Sequence, residues 1–261
     1  MQTDFVTVIG IAALAAVASP VGGLLALWRS PTTLFMSIAL GFAAGVLLGT
    51  IGFEMLPQAL ELSSVWIAAA GFGFGLAAVY GLDLFVNRGK VAGAEAEQHD
   101  AVEADHRRRG TRGSPTTVLA GGTSAEELIE GLSIGIGAAV KPGLGLLIAL
   151  AIVIDNVAEA LSIGQLIRSE GGEPKAQRRR VLGWTSLIGA ALLGSALAGW
   201  FLLQGLAKPI LGCLFGVGGG AMFYLTVSQL VPEADARHYQ QSAALAMAAG
   251  FAVIFVLSSF L

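Results

Sequence analysis

The stretch Glu126-Glu127-Leu128-Ile129-Glu130-Gly131-Leu132-Ser133-Ile134-Gly135 returns 29 positions later as Asp155-Asn156-Val157-Ala158-Glu159-Ala160-Leu161-Ser162-Ile163-Gly164. Each copy sets an acid first, an acid or amide beside it, and a Glu four residues on. In a helix, positions i and i+4 share a face, one turn apart. Both copies lie inside apolar runs long enough to cross a bilayer. Carboxylates are costly at membrane depth, and where they occur they mark a site. Two acidic faces on successive spans predict a cation site inside a membrane protein.

The rest of the chain fits that frame. Hydrophobic residues make up 55% and charged residues 13%, and mean hydropathy is +0.75. Soluble domains run nearer a quarter charged. Eight apolar runs reach the roughly 20 residues a spanning helix needs: Phe5–Leu27, Thr33–Met55, Val65–Val86, Thr116–Ala139, Gly143–Ile167, Val181–Leu203, Pro209–Leu230 and Ser242–Phe260. The expected fold is an all-α integral membrane protein with eight transmembrane helices, forming one membrane domain over residues 1–261. The 36 Gly suit close helix packing. The single Cys213 excludes an internal disulfide and any Cys-based metal cluster. Met1-Gln2-Thr3-Asp4 carries no cation, so the first run reads as a retained span and not a cleaved leader.

Charge fixes an expected orientation. Of the 15 Lys and Arg, all but Lys141 and Lys208 fall in or beside the odd-numbered connections. The positive-inside bias places those connections, including 87–115 and 168–180, in the cytoplasm and both termini outside, in a multi-pass protein of the cell membrane. Residues 87–115, with His99 and His106 among acids, read as a flexible solvated loop.

A second repeat has an offset of 175. Gly41, Gly45, Glu54, Pro57 and Ala59 of span two match Gly216, Gly220, Gln229, Pro232 and Ala234 of span seven. The two spans run in opposite directions, and so do spans four and five. The expected plan is therefore three-plus-two-plus-three, an inverted-repeat arrangement of the kind alternating-access transporters use. The Gly-x-x-x-Gly pairs fit a homodimer and intramolecular packing equally.

Glu126, Glu127 and Glu130 of span four and Asp155, Asn156 and Glu159 of span five would together offer five carboxylates and one amide. Neither stretch contains a Lys or Arg, so a bound divalent cation is the simplest compensation. Gly131, Gly135, Ala160 and Gly164 are expected to let the two spans approach. Glu54 and Gln229 each precede a Pro by three residues; Gln229 is read as an auxiliary ligand and Glu54 as a ligand or an entrance carboxylate. Met55 reads as packing. Asp83, Glu61 and Glu233 lie near span ends and read as solvated, Glu233 being also placed to mark an exit. No phosphate-binding G-x-x-x-x-G-K-[ST] loop, H-E-x-x-H motif or nucleophile arrangement is present, which argues against an ATPase or a membrane hydrolase. No organic cofactor and no nucleic-acid partner is expected. A metal sensor or scaffold that binds without transport remains an alternative. So does an organic-cation transporter, although these stretches lack the aromatic cage it would need.

These motifs resemble the ZIP (Zrt-, Irt-like) family of divalent metal transporters. In that family span four reads His-Asn-x-Pro-Glu-Gly and span five is similar. Here the slots read Glu126-Glu127-Leu128-Ile129-Glu130-Gly131 and Asp155-Asn156-Val157-Ala158-Glu159-Ala160. The Glu-x-x-Pro pattern of spans two and seven fits Glu54-Met55-Leu56-Pro57 and Gln229-Leu230-Val231-Pro232. The resemblance implies a binuclear centre between spans four and five, and metal (zinc, manganese, iron or similar) moving toward the cytoplasm. Glu130 and Glu159 match the family's glutamates. Glu126 and Asp155 replace its histidines, Ile129 and Ala158 its prolines, and Gln229 stands where a glutamate is usual. An oxygen-only donor set suits harder ions such as Mn²⁺ and lessens the preference for zinc.

Overall fold

The computed structural model describes residues 5–28, 31–86, 115–203, 205–235 and 239–260. The 87–115 loop, with His99 and His106, lies outside the described residues apart from Pro115. Among the described residues eight long helices follow in order: α1 Phe5–Trp28, α2 Thr33–Leu62, α3 Val65–Val86, α4 Pro115–Val140, α5 Pro142–Ser169, α6 Pro174–Leu203, α7 Lys208–Asp235 and α8 Gln240–Ser258. All except α4 are long and apolar enough by composition to cross a membrane. The exception carries Glu126, Glu127 and Glu130 in 26 residues that are otherwise largely apolar. The molecule is an all-helical integral membrane protein.

Local chemistry sets the helix ends. The Thr32 hydroxyl accepts the Phe35 amide at 3.2 Å and caps α2. Pro142 and Pro209 sit in the first turns of α5 and α7, where no amide hydrogen is needed. Gly171 and Gly172, with φ of 77° and 107°, turn the chain between α5 and α6, a conformation costly for any residue with a Cβ. The helices α2, α6 and α7 run past their apolar cores into polar residues, because backbone hydrogen bonding continues where hydrophobicity stops.

Both α2 and α7 contain a π-helical turn, Ile51–Met55 in the first and Thr226–Leu230 in the second. The Leu56 amide donates to Ile51 O and the Val231 amide to Thr226 O, each reaching five residues back. Pro57 and Pro232 follow each turn by two residues. A proline ring crowds the preceding turn and lacks a donor, and one extra residue per turn makes room for it.

The helices form two groups. One contains α1, α4, α5 and α6; the other contains α2, α3, α7 and α8. They meet where α2 lies on α5 and where α4 lies on α7. Within the second group, packing is backbone to backbone. A Cβ on Gly41 would press on the Ala243 carbonyl, and one on Gly45 on the Met247 carbonyl. A Cβ on Gly216 would likewise press on the Ala68 carbonyl, and one on Gly220 on that of Phe72. Both Gly-x-x-x-Gly pairs are thus used inside the chain, and the two interfaces share one register at the 175-residue offset. Outward surfaces are apolar, as lipid requires, with Leu245 and Phe255 exposed. Trp28, 87% exposed at the end of α1, and Trp66, 81% exposed at the start of α3, stand at opposite ends of α2.

Candidate metal site

The helices α4 and α5 are separated only by Lys141 and pack against each other along their acidic faces. Close approach comes from Gly137 and Gly145: a Cβ on either would meet the facing backbone within 3.1 Å. The small residues expected to serve this seam work elsewhere. Gly131 and Gly135 lie against Leu192, Ser195 and Ala196 of α6, whereas Ala160 and Gly164 lie against Gly22 and Ala26 of α1. Gly131 and Ala160 sit one position past Glu130 and Glu159, and Gly135 and Gly164 one turn further on, so all four lie about 100° or more round the helix and serve a neighbouring face.

The acids are buried. Glu127 and Asn156 are each 1% exposed, Asp155 2% and Glu130 6%. Glu126 is also buried, and Glu159 is half-buried. The Asn156 Nδ2 donates to Glu127 Oε2 at 3.4 Å. The carboxyl groups of Glu130 and Asp155 are within hydrogen-bonding reach. The Ser195 hydroxyl lies 3.0 Å from the backbone oxygens of Glu127 and Leu192, fixing α4 on α6. The Ser133 hydroxyl bonds back to Ile129 O at 2.9 Å and serves its own helix. Among the described residues, three buried oxygens of this seam have no donor: Glu127 Oε1, Asp155 Oδ1 and Asn156 Oδ1. Buried acceptors left bare are rare and costly. Among the described residues, no three or more His, Cys, Asp or Glu close into a formed metal-holding group. The seam is an open row of oxygen donors, not a finished cage.

The auxiliary candidates fall elsewhere. Glu54, half-buried at the π-turn of α2, lines a cavity of about 300 Å³ with Pro57, Gln58, Glu61 and Lys141. Gln58 Nε2 donates to Glu61 Oε2 at 3.3 Å, and Lys141 Nζ lies 3.9 Å from the same oxygen. Met55 is fully buried, and a Cβ on Gly218 of α7 would meet both its methyl and the Ser133 hydroxyl. Gln229 is exposed on the π-turn of α7. Glu233, read from sequence as a solvated end, instead accepts a 2.8 Å hydrogen bond from the Ser162 hydroxyl of α5. The π-turn supplies the reason: its extra residue breaks the 3.6-residue period, so positions four apart no longer share a face.

The fold and the buried oxygens define an integral membrane protein with a row of oxygen donors in its interior. The profile described as ZIP Zinc transporter matches residues 86–258. The chain is 31% identical over 256 residues to the zinc transporter ZupT of Corynebacterium glutamicum, covering 94% of this chain and 95% of that protein. It is 28% identical over 255 residues to ZupT of Corynebacterium aurimucosum, covering 93% and 92%. The ZupT of Salmonella newport is 28% identical over 230 residues, covering 85% and 84%. This chain belongs to the ZIP zinc transporter family.

Proposed function

We propose that this protein carries a divalent metal ion, zinc or manganese foremost, across the membrane toward the cytoplasm, by alternating access through the α4–α5 seam. The observation that carries the reading is the set of donor-free buried oxygens on Glu127, Asp155 and Asn156, beside Glu130 and Glu159. Oxygens held bare in the interior are what a cation needs to replace its water. Carboxylates and an amide favour Mn²⁺ or Mg²⁺ but still accept zinc. An open row suits a carried ion, which must leave as readily as it arrives. Gln229 and Glu54 stay outside this row as the helices stand, so any part they take comes at other stages of the cycle.

The helix contacts support the three-plus-two-plus-three plan. Exchanging α1 with α6, α2 with α7, α3 with α8 and α4 with α5 maps the main interfaces onto one another, α1–α6 and α4–α5 onto themselves. The α1–α5 contact becomes α6–α4, and α2–α8 becomes α7–α3. The shared glycine register and the paired π-turns obey the same exchange. The group α1, α4, α5 and α6 then moves against α2, α3, α7 and α8, exposing the seam to each side in turn. The connections before α2, after α5 and after α7 face the cytoplasm on this reading, following the basic residues.

The test is uptake of Mn²⁺, Zn²⁺, Fe²⁺, Cd²⁺ and Mg²⁺ by purified protein in liposomes, with Glu130→Gln and Glu159→Gln as controls. Saturable uptake lost in both, with folded protein, is expected. Binding without flux would instead make the protein a metal sensor. Unchanged uptake in both variants would remove the site.

A further inference from the structure

We infer that Glu233 takes the ion from the α4–α5 seam on its way out, with Ser162 holding its carboxylate in waiting. The inference rests on the transport reading and adds a residue to its path. Asp155, Glu159 and Ser162 follow i, i+4, i+7 spacing and so line one face of α5. At 1.5 Å per residue, Ser162 stands about 4.5 Å beyond Glu159 and about 10 Å beyond Asp155 along the axis. The Glu233 carboxylate sits 2.8 Å from the Ser162 hydroxyl, one turn past the last acid of the seam. Its charge reaches Asp155, further along the same face. Asp155, 2% exposed, keeps one oxygen without a donor on that same face.

Glu233 comes from the other helix group. Its helix end is pinned to α2 by the Ser37 hydroxyl, which donates to Ala234 O at 2.5 Å. The Ser162–Glu233 contact therefore crosses the junction between the two groups. A second bond, from Gln165 Nε2 of α5 to Pro31 O just before α2, crosses it at the same end, at 2.8 Å. The two copies of the seam motif differ here. Ser133 satisfies itself on its own helix, whereas Ser162, at the equivalent place, reaches a carboxylate across the junction. A fastener between helices needs only a neutral acceptor. A carboxylate also binds a divalent ion, in exchange for the hydrogen bond it accepts from a hydroxyl, and a turn of helix is a step an ion makes without returning to water.

Three readouts separate this role from a structural one: equilibrium Mn²⁺ binding in detergent, release of preloaded Mn²⁺ into a chelator, and liposome uptake. Glu233→Gln should keep its Mn²⁺ affinity within about threefold, while release and uptake slow by about tenfold or more. Glu233→Asp should fall between, and Ser162→Ala, which loses only the hydroxyl that positions Glu233, should slow release less than Glu233→Gln does. Glu233→Gln releasing Mn²⁺ at the wild-type rate would overturn the inference. So would loss of equilibrium binding in Glu233→Gln, which would place the residue in the seam itself. If Glu233→Gln does not yield monodisperse protein, Glu233→Asp decides by the same release assay. Should the wild type bind but not transport, the transport reading fails, and the release comparison still judges Glu233.

Discussion

Asn156 donates its amide hydrogen to the carboxylate of Glu127 across 3.4 Å, and the two residues occupy the same place in the two copies of one motif. Equivalent positions of the repeated motif here meet face to face across the α4–α5 seam. The contact thus fixes the register of α4 on α5 and aims the Asn156 oxygen, which has no donor, into the seam. Replacing Asn156 with Leu keeps the volume roughly constant and removes both functions. Metal affinity should fall about 10- to 100-fold, the usual cost of losing a group that orients a ligand. Isothermal titration of purified protein with Mn²⁺ checks this.

Selectivity should follow donor chemistry. Glu126→His with Asp155→His restores the imidazoles that the family's motif carries at these places. Imidazole suits zinc better than manganese. The ratio of zinc to manganese uptake should rise in the double variant. An unchanged ratio would mean that selectivity is set elsewhere on the path.

The glycine registers predict matched failures. In Gly45→Val and Gly220→Val, the new side chain meets the backbone carbonyl of Met247 or Phe72, which has no freedom to move aside. Each should cost at least about 3 kcal/mol, the upper range for overpacking. Gly73 offers the contrast, because a Cβ there would meet nothing within 4 Å. Gly73→Ala should be neutral or gain up to about 1 kcal/mol, since alanine prefers helix. Thermal unfolding in detergent reads all three.

The Lys141–Glu61 pair joins the start of α5 to the end of α2, but both side chains are more than half exposed. Exposed pairs contribute about 0–1 kcal/mol. Glu61→Gln should therefore leave the unfolding midpoint nearly unchanged. Any effect on metal uptake at low external concentration would then be electrostatic, and should vanish at high salt as screening sets in.

The sequence made the helical membrane fold legible because 55% hydrophobic content divides into long runs. The acids of α4 and α5 were legible because their spacing repeats. The faces of the small residues were not: Gly131 and Ala160 directly follow Glu130 and Glu159 in sequence, yet one step along a helix is a turn of about 100°. The partner of Glu233 was hidden for a related reason. Its direction depends on the π-turn at Thr226–Leu230, and a π-turn arises from crowding around Pro232, which no residue count along the chain reports. The 300 Å³ cavity around Glu54 depends on α2, α5 and α8 together and has no local signature.

The exposed Trp28 and Trp66 have a consequence for the lipid. Indole rings favour the headgroup boundary, so a Trp at either end of the helix bundle marks the two surfaces between which the protein is comfortable. The 24 residues of α1 span about 36 Å, a few ångströms more than the roughly 30 Å hydrocarbon layer of a typical bilayer. A thinner bilayer must stretch, or the helices must tilt, and either response would work against the proposed movement of one helix group past the other. Turnover should therefore depend on acyl chain length, with an optimum where the bilayer matches the distance between the two indoles.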